Sequence, residues 1–265
     1  VGNGSDEVLS DLFGFFRSSY DEVHLLDTCF KVYYLLAARF GFRVGTLGGN
    51  TFETGRIDGP GPDALSFVDS PNAITGRAAE PSDLRSLAEP KGSFLVWDNA
   101  YGEFGEEELP TPWAENVILV RSFSKFYALA GARVGYCIAS REVVTALMDA
   151  KDVFNVNMMG EALARAALRR IDEFRELVAE TRACRALLVS GLEDLGFEVH
   201  PPAANYVFAT HAEVPASIIQ AGLHAAGIAV RRFEGPLTGN SIRITVAPRP
   251  TVEVFTDRLS KVLKE

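Results

Sequence analysis

Residues 120–136 read V-R-S-F-S-K-F-Y-A-L-A-G-A-R-V-G-Y and lie between two apolar runs, at 116–120 and 134–139, that predict buried strands. The polar side chains of this stretch include Ser122, Ser124, Lys125 and Arg133. A lysine among aromatic residues is partly desolvated, so its neutral amine is available as a nucleophile. Two hydroxyl groups and a guanidinium near that amine are able to hold a phosphate group. This combination predicts a Schiff-base enzyme that uses pyridoxal phosphate, although the spacing alone also fits an ordinary exposed loop.

Composition and charge limit the classes of protein that this chain can be. Its 265 residues are enough for one large domain, with or without a smaller one. The formal net charge of −9 at pH 7 disfavours a nucleic-acid-binding surface. No apolar run approaches the roughly 20 residues that a membrane-spanning helix needs, so we expect no membrane partner. The cysteines and histidines show no metal-binding spacing, which predicts no metal site and favours a reducing, cytoplasmic location.

The first residues predict a second phosphate-binding element. Residues 2–7 read G-N-G-S-D-E and precede apolar residues with helical spacing at 8–16. Glycines before a helix expose backbone N–H groups and the positive end of the helix dipole, which together bind anions. A helix capped by the side chain of Ser5 or Asp6 is an equally consistent interpretation. Because the sequence begins at Val1 inside this loop, we expect the natural N-terminus to lie upstream.

Apolar runs alternate with helical patterns through the first hundred residues. Strands are predicted at 22–26, 43–47, 64–68 and 93–97, helices at 27–39 and 81–87, and a glycine-rich connection at 48–62. This alternation favours an α/β fold with a mainly parallel sheet sandwiched by helices. In such sheets ligands bind at the carboxyl ends of the strands.

Two of these strand ends carry candidate ligand-binding residues. The motif S-P-N at 70–72 follows one strand, where it also fits an ordinary turn. Asp98 ends another, and a buried acid is costly unless it meets a cation or a hydrogen-bond donor. Asp98 is thus a candidate partner for a protonated pyridine nitrogen and Tyr101 for a ring oxygen, although Asp98 as the N-cap of a helix is the ordinary alternative. Phe30 is a candidate to cover a flat ring.

The second half of the chain predicts a smaller α+β lobe. Helical patterns cover 141–151, 160–195, 216–227 and 252–263, and strands are predicted at 197–199, 206–208, 228–230 and 242–246. We therefore expect a large domain at 1–160 and a small domain at 161–265. Arg231 and Arg243 are candidates to bind a carboxylate or phosphate, while the alternating pattern also allows Arg243 to point to solvent. The acidic stretch at 106–112 predicts an exposed loop.

In this order, the motifs resemble those of the fold-type I pyridoxal-phosphate aminotransferases of class I and II, and most of all their histidinol-phosphate aminotransferase branch. The matching segments are G-N-G-S-D-E at 2–7, S-P-N at 70–72, D-N-A-Y-G-E-F at 98–104, S-F-S-K at 122–125, L-A-G-A-R-V-G-Y at 129–136 and R-I-T-V at 243–246. The S-F-S-K segment with its trailing arginine is the most specific. The resemblance implies a homodimeric aminotransferase that uses pyridoxal 5′-phosphate and moves an amino group between an amino acid or amino-phosphate and a 2-oxo acid.

The resemblance also implies roles for individual residues. Lys125 would carry the cofactor and move the substrate proton, Asp98 would pair with the pyridine nitrogen, and Tyr101 would bond the ring oxygen. The other positions assigned to the cofactor are Gly4, Ser5, Asp6, Phe30, Asn72, Ser122, Ser124 and Arg133. Arg243 would clamp the acidic group of the substrate, with Arg231 and Asn205 as weaker candidates.

The chain departs from the family pattern at three places. Where the family has S-P-N-N-P-T-G, residues 70–76 read S-P-N-A-I-T-G. Ala73 therefore occupies the position of an asparagine that donates to the ring oxygen, unless Asn72 replaces it. Asn99 stands where the family has glutamate. The third departure is the segment with the substrate-covering arm and a tyrosine that reaches the partner's phosphate, which is expected upstream of Val1.

The change at Ala73 keeps two other functions open. A lost charge-assisted donor is worth roughly 1.5–3 kcal/mol, enough to alter the chemistry of the site. One alternative is a different pyridoxal-phosphate reaction on the same fold, performed by a decarboxylase, cyclase or oxidase. The other is a degenerate, non-catalytic domain, against which the presence of Lys125, Asp98 and Arg133 argues.

Overall fold

The computed structural model describes residues 1–105 and 114–264. Its helices are α1 Ser5–Phe16, α2 Val32–Phe40, α3 Pro81–Ala88, α4 Arg141–Ala150, α5 Met158–Arg169, α6 Ile171–Glu193, α7 Ala216–Ala225 and α8 Arg249–Val262. Its strands are β1 Glu22–Leu25, β2 Arg43–Thr46, β3 Gly48–Asn50, β4 Arg56–Asp58, β5 Leu65–Asp69, β6 Phe94–Asp98, β7 Val117–Ser122, β8 Gly135–Ile138, β9 Phe197–Val199, β10 Tyr206–His211, β11 Arg231–Arg232 and β12 Ser241–Thr245. Within these ranges, no helix is both long and apolar enough to cross a membrane.

A six-stranded sheet forms the centre of the larger part, in the order β2-β1-β5-β6-β7-β8. The first five strands run parallel, and β8 pairs antiparallel with β7. Strand β5 is buried along its whole length, as expected for a central parallel strand covered by helices. The helices α1, α2, α3 and α4 supply the rest of this core. The predicted fold class, a mainly parallel sheet sandwiched by helices, is therefore confirmed.

The C-terminal part has its own antiparallel sheet, in the order β11-β12-β10-β9. Helices α6, α7 and α8 pack on it around a separate apolar core that includes Leu188, Leu192 and Leu259. This is the α+β arrangement that the sequence predicts. The division at residues 160 and 161 stays a prediction, and the structure places that point inside α5.

Several predicted elements differ in their bounds. Helix α2 begins at Val32, five residues later than the predicted start. The connection at 48–62 contains the hairpin of β3 and β4, which the sequence analysis missed. Residues 228–230 are not a strand; the edge strand β11 follows them at Arg231. The predicted acidic loop at 106–112 lies outside the described residues.

Candidate active site

One cavity of about 170 Å³ lies where β5, β6 and β7 reach their carboxyl ends. The described residues that line it are Ser5, Asp6, Phe30, Asp69, Pro71, Ala73, Asp98, Ala100, Tyr101, Ser122, Ser124, Lys125, Ala130 and Arg133. Residues from five separate stretches of the sequence thus meet in one place. Most of the residues predicted to bind a cofactor are among them, and Gly4 and Asn72 are not.

The N-terminus of α1 forms the polar end of this cavity. Gly4 is the residue before the helix and has φ of +85°, a conformation that favours glycine. Neither Ser5 nor Asp6 caps the helix with its side chain, so the capping alternative is wrong and the first backbone N–H groups of the helix have no capping side chain. A Cβ added at Gly4 would lie 2.4 Å from the Nη2 atom of Arg133. The absence of a side chain at Gly4 therefore lets the guanidinium approach the helix end.

Arg133 is held at the same end of the cavity. Its backbone is left-handed, with φ of +52°, which is uncommon for a residue other than glycine and typical of functional sites. Its Nη2 atom donates to Asp6 Oδ2 at 2.9 Å, and its Nη1 atom donates to the carbonyl oxygen of Ala130. With the hydroxyl groups of Ser122 and Ser124 nearby, these donors are the set that binds a phosphate group.

Asp98 ends β6 on the floor of the cavity and is 5% exposed. Burial raises the pKa of its carboxyl to about 6, while the hydrogen bond from Tyr33 and the charge of Lys125 act in the opposite direction. The Tyr33 hydroxyl donates to Oδ2 at 2.8 Å, and the Ala100 N–H donates to Oδ1. The next helical turn begins at Gly102, so Asp98 is not the N-cap of a helix. A cationic ligand group beside Asp98 would stabilise its ionised form.

Lys125 reaches the cavity from the loop after β7. Its side chain is half-buried, and its Nζ atom lies 5.1 Å from the centre of the Tyr101 ring. Tyr101 in turn contacts the ring of Tyr206 edge-on. The surrounding loop is fixed by backbone bonds from Ala128 N–H to the Lys125 carbonyl and from Leu129 N–H to that of Phe123. The amine is therefore presented on an ordered loop and not on a mobile surface tail.

Asn72 lies beside the cavity, but its side chain forms hydrogen bonds within the turn and does not line the cavity. Its Nδ2 atom donates to the carbonyl oxygen of Thr28 at 2.6 Å. Its Oδ1 atom accepts from the N–H groups of Ile74 and Thr75. These bonds close the turn after β5, so the amide of Asn72 is not free to stand in for the side chain missing at Ala73.

The predicted substrate-binding residues occupy different positions. Arg243 is half-buried and its Nη1 atom donates to the carbonyl oxygen of Ala73 at 2.6 Å, so the solvent-pointing alternative is wrong. Its guanidinium also lies over the rings of Tyr206 and Phe233. Arg231 is exposed and pairs with Arg243 across β11 and β12. Asn205 lines a neighbouring cavity of about 300 Å³, which Lys125 also borders.

A second, larger cavity has a volume of about 630 Å³. Its described lining includes Asn99, Glu103, Arg121 and Tyr136, and contains none of the predicted site residues. Arg121 is paired there with Glu103 at 2.5 Å and with the Asn99 side chain. The smaller cavity is the candidate active site because it collects the amine, the acid and the anion-binding donors.

Two residues of the site were missed by the sequence analysis. Tyr33 is fully buried, and its hydroxyl donates to Asp98. Asp69 ends β5 directly beside Asp98 and lines the cavity. The signal that identified Asp98, an acid at the end of an apolar strand, applies equally to Asp69.

The comparisons with known proteins agree with this geometry. Residues 58–259 match the family model described as aminotransferase class I and II. A histidinol-phosphate aminotransferase of Citrifermentans bemidjiense is 34% identical over 257 residues, which cover 96% of this chain and 73% of that relative. The solved histidinol-phosphate aminotransferase of Sinorhizobium meliloti, in complex with pyridoxal-5′-phosphate, superposes with a TM-score of 0.85 at 24% identity, over 99% of this chain and 76% of the other. An L-threonine-O-3-phosphate decarboxylase of Porphyromonas gingivalis has a TM-score of 0.83 at 20% identity, over 100% and 83% of the two chains.

The sheet order, together with the lysine and acid at its carboxyl edge, defines an enzyme of the fold-type I class. The two solved structures share this fold although their names state different reactions, so the fold does not select a reaction. The reaction is instead indicated by the sequence matches. The chain belongs to the class I and II aminotransferases and is a pyridoxal-phosphate-dependent aminotransferase.

Proposed function

We propose that the cavity holds pyridoxal 5′-phosphate and that the substrate enters beside Arg243. The chemistry of the donor set supports this fit. The helix end with Ser122, Ser124 and Arg133 suits a phosphate group, and the buried Asp98 suits a protonated ring nitrogen. Phe30 supplies an apolar surface at the same cavity. When bound, the cofactor supplies an electron sink that stabilises negative charge on the substrate carbon.

Each side chain then has a defined task. Lys125 would provide the amine that links the cofactor, and its Nζ atom would hold and move the proton taken from the substrate Cα. Asp98 keeps the ring nitrogen protonated, and Tyr101 donates to the ring oxygen. Ser5, Asp6 and Gly4 contribute the backbone of the phosphate site. Asp98 remains the acceptor for Tyr33 throughout, which fixes the orientation of its carboxylate.

The amino donor that we propose carries an anionic group and an aromatic or imidazole ring, as in histidinol phosphate or an aromatic amino acid, and the acceptor is a 2-oxo acid. The relative named a histidinol-phosphate aminotransferase supports this choice. So does Arg243, whose guanidinium lies 4.6 Å from the Tyr206 ring centre and 5.2 Å from that of Phe233. Arg231 lies opposite it across the strand pair and is the weaker candidate, as is Asn205. An anionic group near Arg243 would find a cation already oriented by two aromatic rings.

The test is a donor screen with matched arginine variants. Histidinol phosphate and aromatic, acidic and basic amino acids are each incubated with a 2-oxo acid, and the newly formed amino acid and released CO₂ are quantified. For the best donor, Arg243→Gln is expected to raise KM by about 10- to 100-fold, because a charge-assisted contact is lost. Arg231→Gln, the matched control, is expected to have a smaller effect. Equal effects of the two variants would contradict the assignment to Arg243, and CO₂ release without amino transfer would favour the decarboxylase alternative.

We also propose that the enzyme is a homodimer in which a second copy covers the apolar surface around the start of α5. Phe154 there is 96% exposed, and the neighbouring exposed apolar side chains are Val153, Met158, Met159 and Leu163. Burying this patch against a second copy would remove apolar surface from water. Sedimentation is expected to give a dimer mass for the parent protein and a monomer for Phe154→Asp. The control Val254→Asp, on the exposed side of α8, should leave the mass unchanged, and a monomeric parent would contradict the proposal.

A further inference from the structure

The cavity contains one acidic side chain that the proposed mechanism leaves without a task. Lys125, Asp98 and Tyr101 serve the ring, and the polar groups from α1, Ser122, Ser124 and Arg133 serve the phosphate. Asp69 is the remaining polar side chain among the described lining residues. Its carboxyl is 3% exposed. A buried acid in a ligand cavity is costly unless it has a specific partner, so the position calls for an explanation.

We propose that Asp69 is a further cofactor-contacting residue, whose carboxyl donates the hydrogen bond to the ring oxygen that Ala73 is unable to donate. The inference rests on the proposed function, because it requires the ring to lie in this cavity. Tyr101 supplies one donor to that oxygen, and the methyl side chain of Ala73 supplies none. Asp69 is placed to supply the second.

The backbone geometry puts Asp69 beside both relevant neighbours. Asp69 and Asp98 are register partners on the adjacent parallel strands β5 and β6, so their side chains leave the same face of the sheet next to one another. Asp69 Oδ2 accepts from the Ala73 N–H at 2.7 Å. The carboxyl therefore lies at the base of the side chain of residue 73, on the side of the cavity where a longer side chain at that position would begin.

The two carboxyl oxygens of Asp69 differ in their hydrogen bonds. Oδ2 accepts from the Ala73 N–H at 2.7 Å, whereas Oδ1 has a longer contact of 3.3 Å with Asn72, whose amide has its closer acceptor at Thr28. The backbone N–H groups of Phe30 and Asp69 also act on this carboxyl. An Oδ1 atom that carries a proton would be free to donate it into the cavity.

The protonation state agrees with a donor role. Burial raises the pKa of Asp69 well above its usual range, and the charge of Asp98 adds to this effect; the backbone N–H groups of Ala73, Asp69 and Phe30 oppose it. Two adjacent buried acids rarely ionise together, and Asp98 is the one with a nearby amine and a tyrosine donor. The other titratable groups that interact with Asp69 are Cys29, Tyr33, Tyr34 and Tyr206, all of which are neutral at pH 7 with raised pKa values. The direction of the shift therefore favours the protonated form of Asp69, which a donor role requires.

The experiment measures the affinity of the protein for pyridoxal phosphate and the pH midpoint of the visible absorbance of the bound cofactor. The variants are Asp69→Asn, which is isosteric and keeps a donor, Asp69→Leu, which removes it, and Asp69→Leu combined with Ala73→Asn. Asp69→Leu is expected to weaken binding by about 10- to 100-fold. It should also raise the pH midpoint by about one unit, because a ring oxygen with fewer donors is more basic. Asp69→Asn is expected to bind about as tightly as the parent, and Ala73→Asn is expected to recover most of the loss.

The rescue separates a ligand role from a structural one. If Asp69 only holds the turn through the Ala73 N–H, the pH midpoint will not move and an asparagine side chain at 73 will restore nothing; either result overturns the proposal. Unchanged affinity in Asp69→Leu overturns it as well, while the proposed function stands. A parent protein that binds no pyridoxal phosphate would instead overturn the proposed function, and this inference with it.

Discussion

Replacing Lys125 with alanine is expected to lower the rate of amino transfer by about 10⁴-fold or more, the largest effect of any single change in this chain. The side chain has two tasks, the link to the cofactor and the movement of the substrate proton. General acid–base catalysis alone contributes up to about 10⁴-fold, and no neighbouring amine is available in the described cavity to replace it. The measurement is the steady-state rate with the best donor from the screen.

The matched control is Lys91→Ala, which removes an exposed lysine away from the cavity and should leave the rate unchanged. A second measurement separates loss of chemistry from loss of folding. The Lys125→Ala protein should keep its cooperative unfolding transition. After reduction with borohydride and then denaturation, it should release its cofactor on gel filtration, whereas the parent retains the cofactor covalently. A variant that still retains cofactor and transfers amino groups at the parental rate would contradict the role of Lys125.

The sheet and the lysine loop could be predicted because both depend on local sequence. The central strands are short segments of four to six mainly apolar or alternating residues, and each of β1, β5, β6 and β7 lies within two residues of its predicted position. The S-F-S-K segment is equally local. Its position after β7 brings the amine to the edge of the sheet where Asp98 ends β6.

The start of α2 and the hairpin of β3 and β4 depend on contacts that the sequence does not display. Asp27 accepts from the Thr51 hydroxyl, and the Thr28 carbonyl accepts from the Asn72 amide, so these residues are held outside the helix, which begins at Val32. The strands β3 and β4 have three residues each and bury one apolar side chain, that of Ile57. Periodicity cannot identify so short a pair, and its register is set by the Asn50 turn.

Arg243 and Asp69 show how tertiary structure decides the direction of a side chain. The alternation of β12 allowed Arg243 to face solvent, but the turn at Ala73 supplies an acceptor from a residue 170 positions away. Asp69, like Asp98, is an acid at the end of an apolar strand. The sequence analysis nevertheless selected Asn72, because Asn72 belongs to the S-P-N motif that follows Asp69. The structure places the side chain of Asn72 in the turn and that of Asp69 in the cavity.

Asp98→Asn is expected to lower kcat on the order of 10²–10³-fold, because a neutral amide no longer stabilises a protonated ring nitrogen in a water-poor site. Asparagine has nearly the same shape and still accepts a hydrogen bond from Tyr33, so the fold should persist. The control Asp58→Asn changes an exposed acid paired with Arg56 and should leave kcat unchanged. A kcat within about threefold of the parent value would show that Asp98 does not act on the ring.

The same variant should make the cofactor-free protein more stable, because the ionised Asp98 carboxylate destabilises the folded state when no cofactor is bound. The pKa of Asp98 is raised from 3.8 to about 6 in the folded protein. The folded state therefore binds the proton more tightly than the unfolded state, and the contribution of Asp98 to stability is present at low pH and lost as the pH rises through 6. Asparagine does not ionise. The free energy of unfolding of Asp98→Asn should therefore rise relative to that of the parent as the pH rises, by about 3 kcal/mol at pH 7.5. Urea unfolding of both cofactor-free proteins at pH 4.5 and 7.5 should show about 2 kcal/mol of this gain, because the unfolded carboxyl is already mostly ionised at pH 4.5. A difference that does not grow with pH would mean that the carboxyl is not desolvated. With saturating pyridoxal phosphate at pH 7.5, the parent should instead be more stable than Asp98→Asn, since only the parent offers a negative charge to the protonated ring.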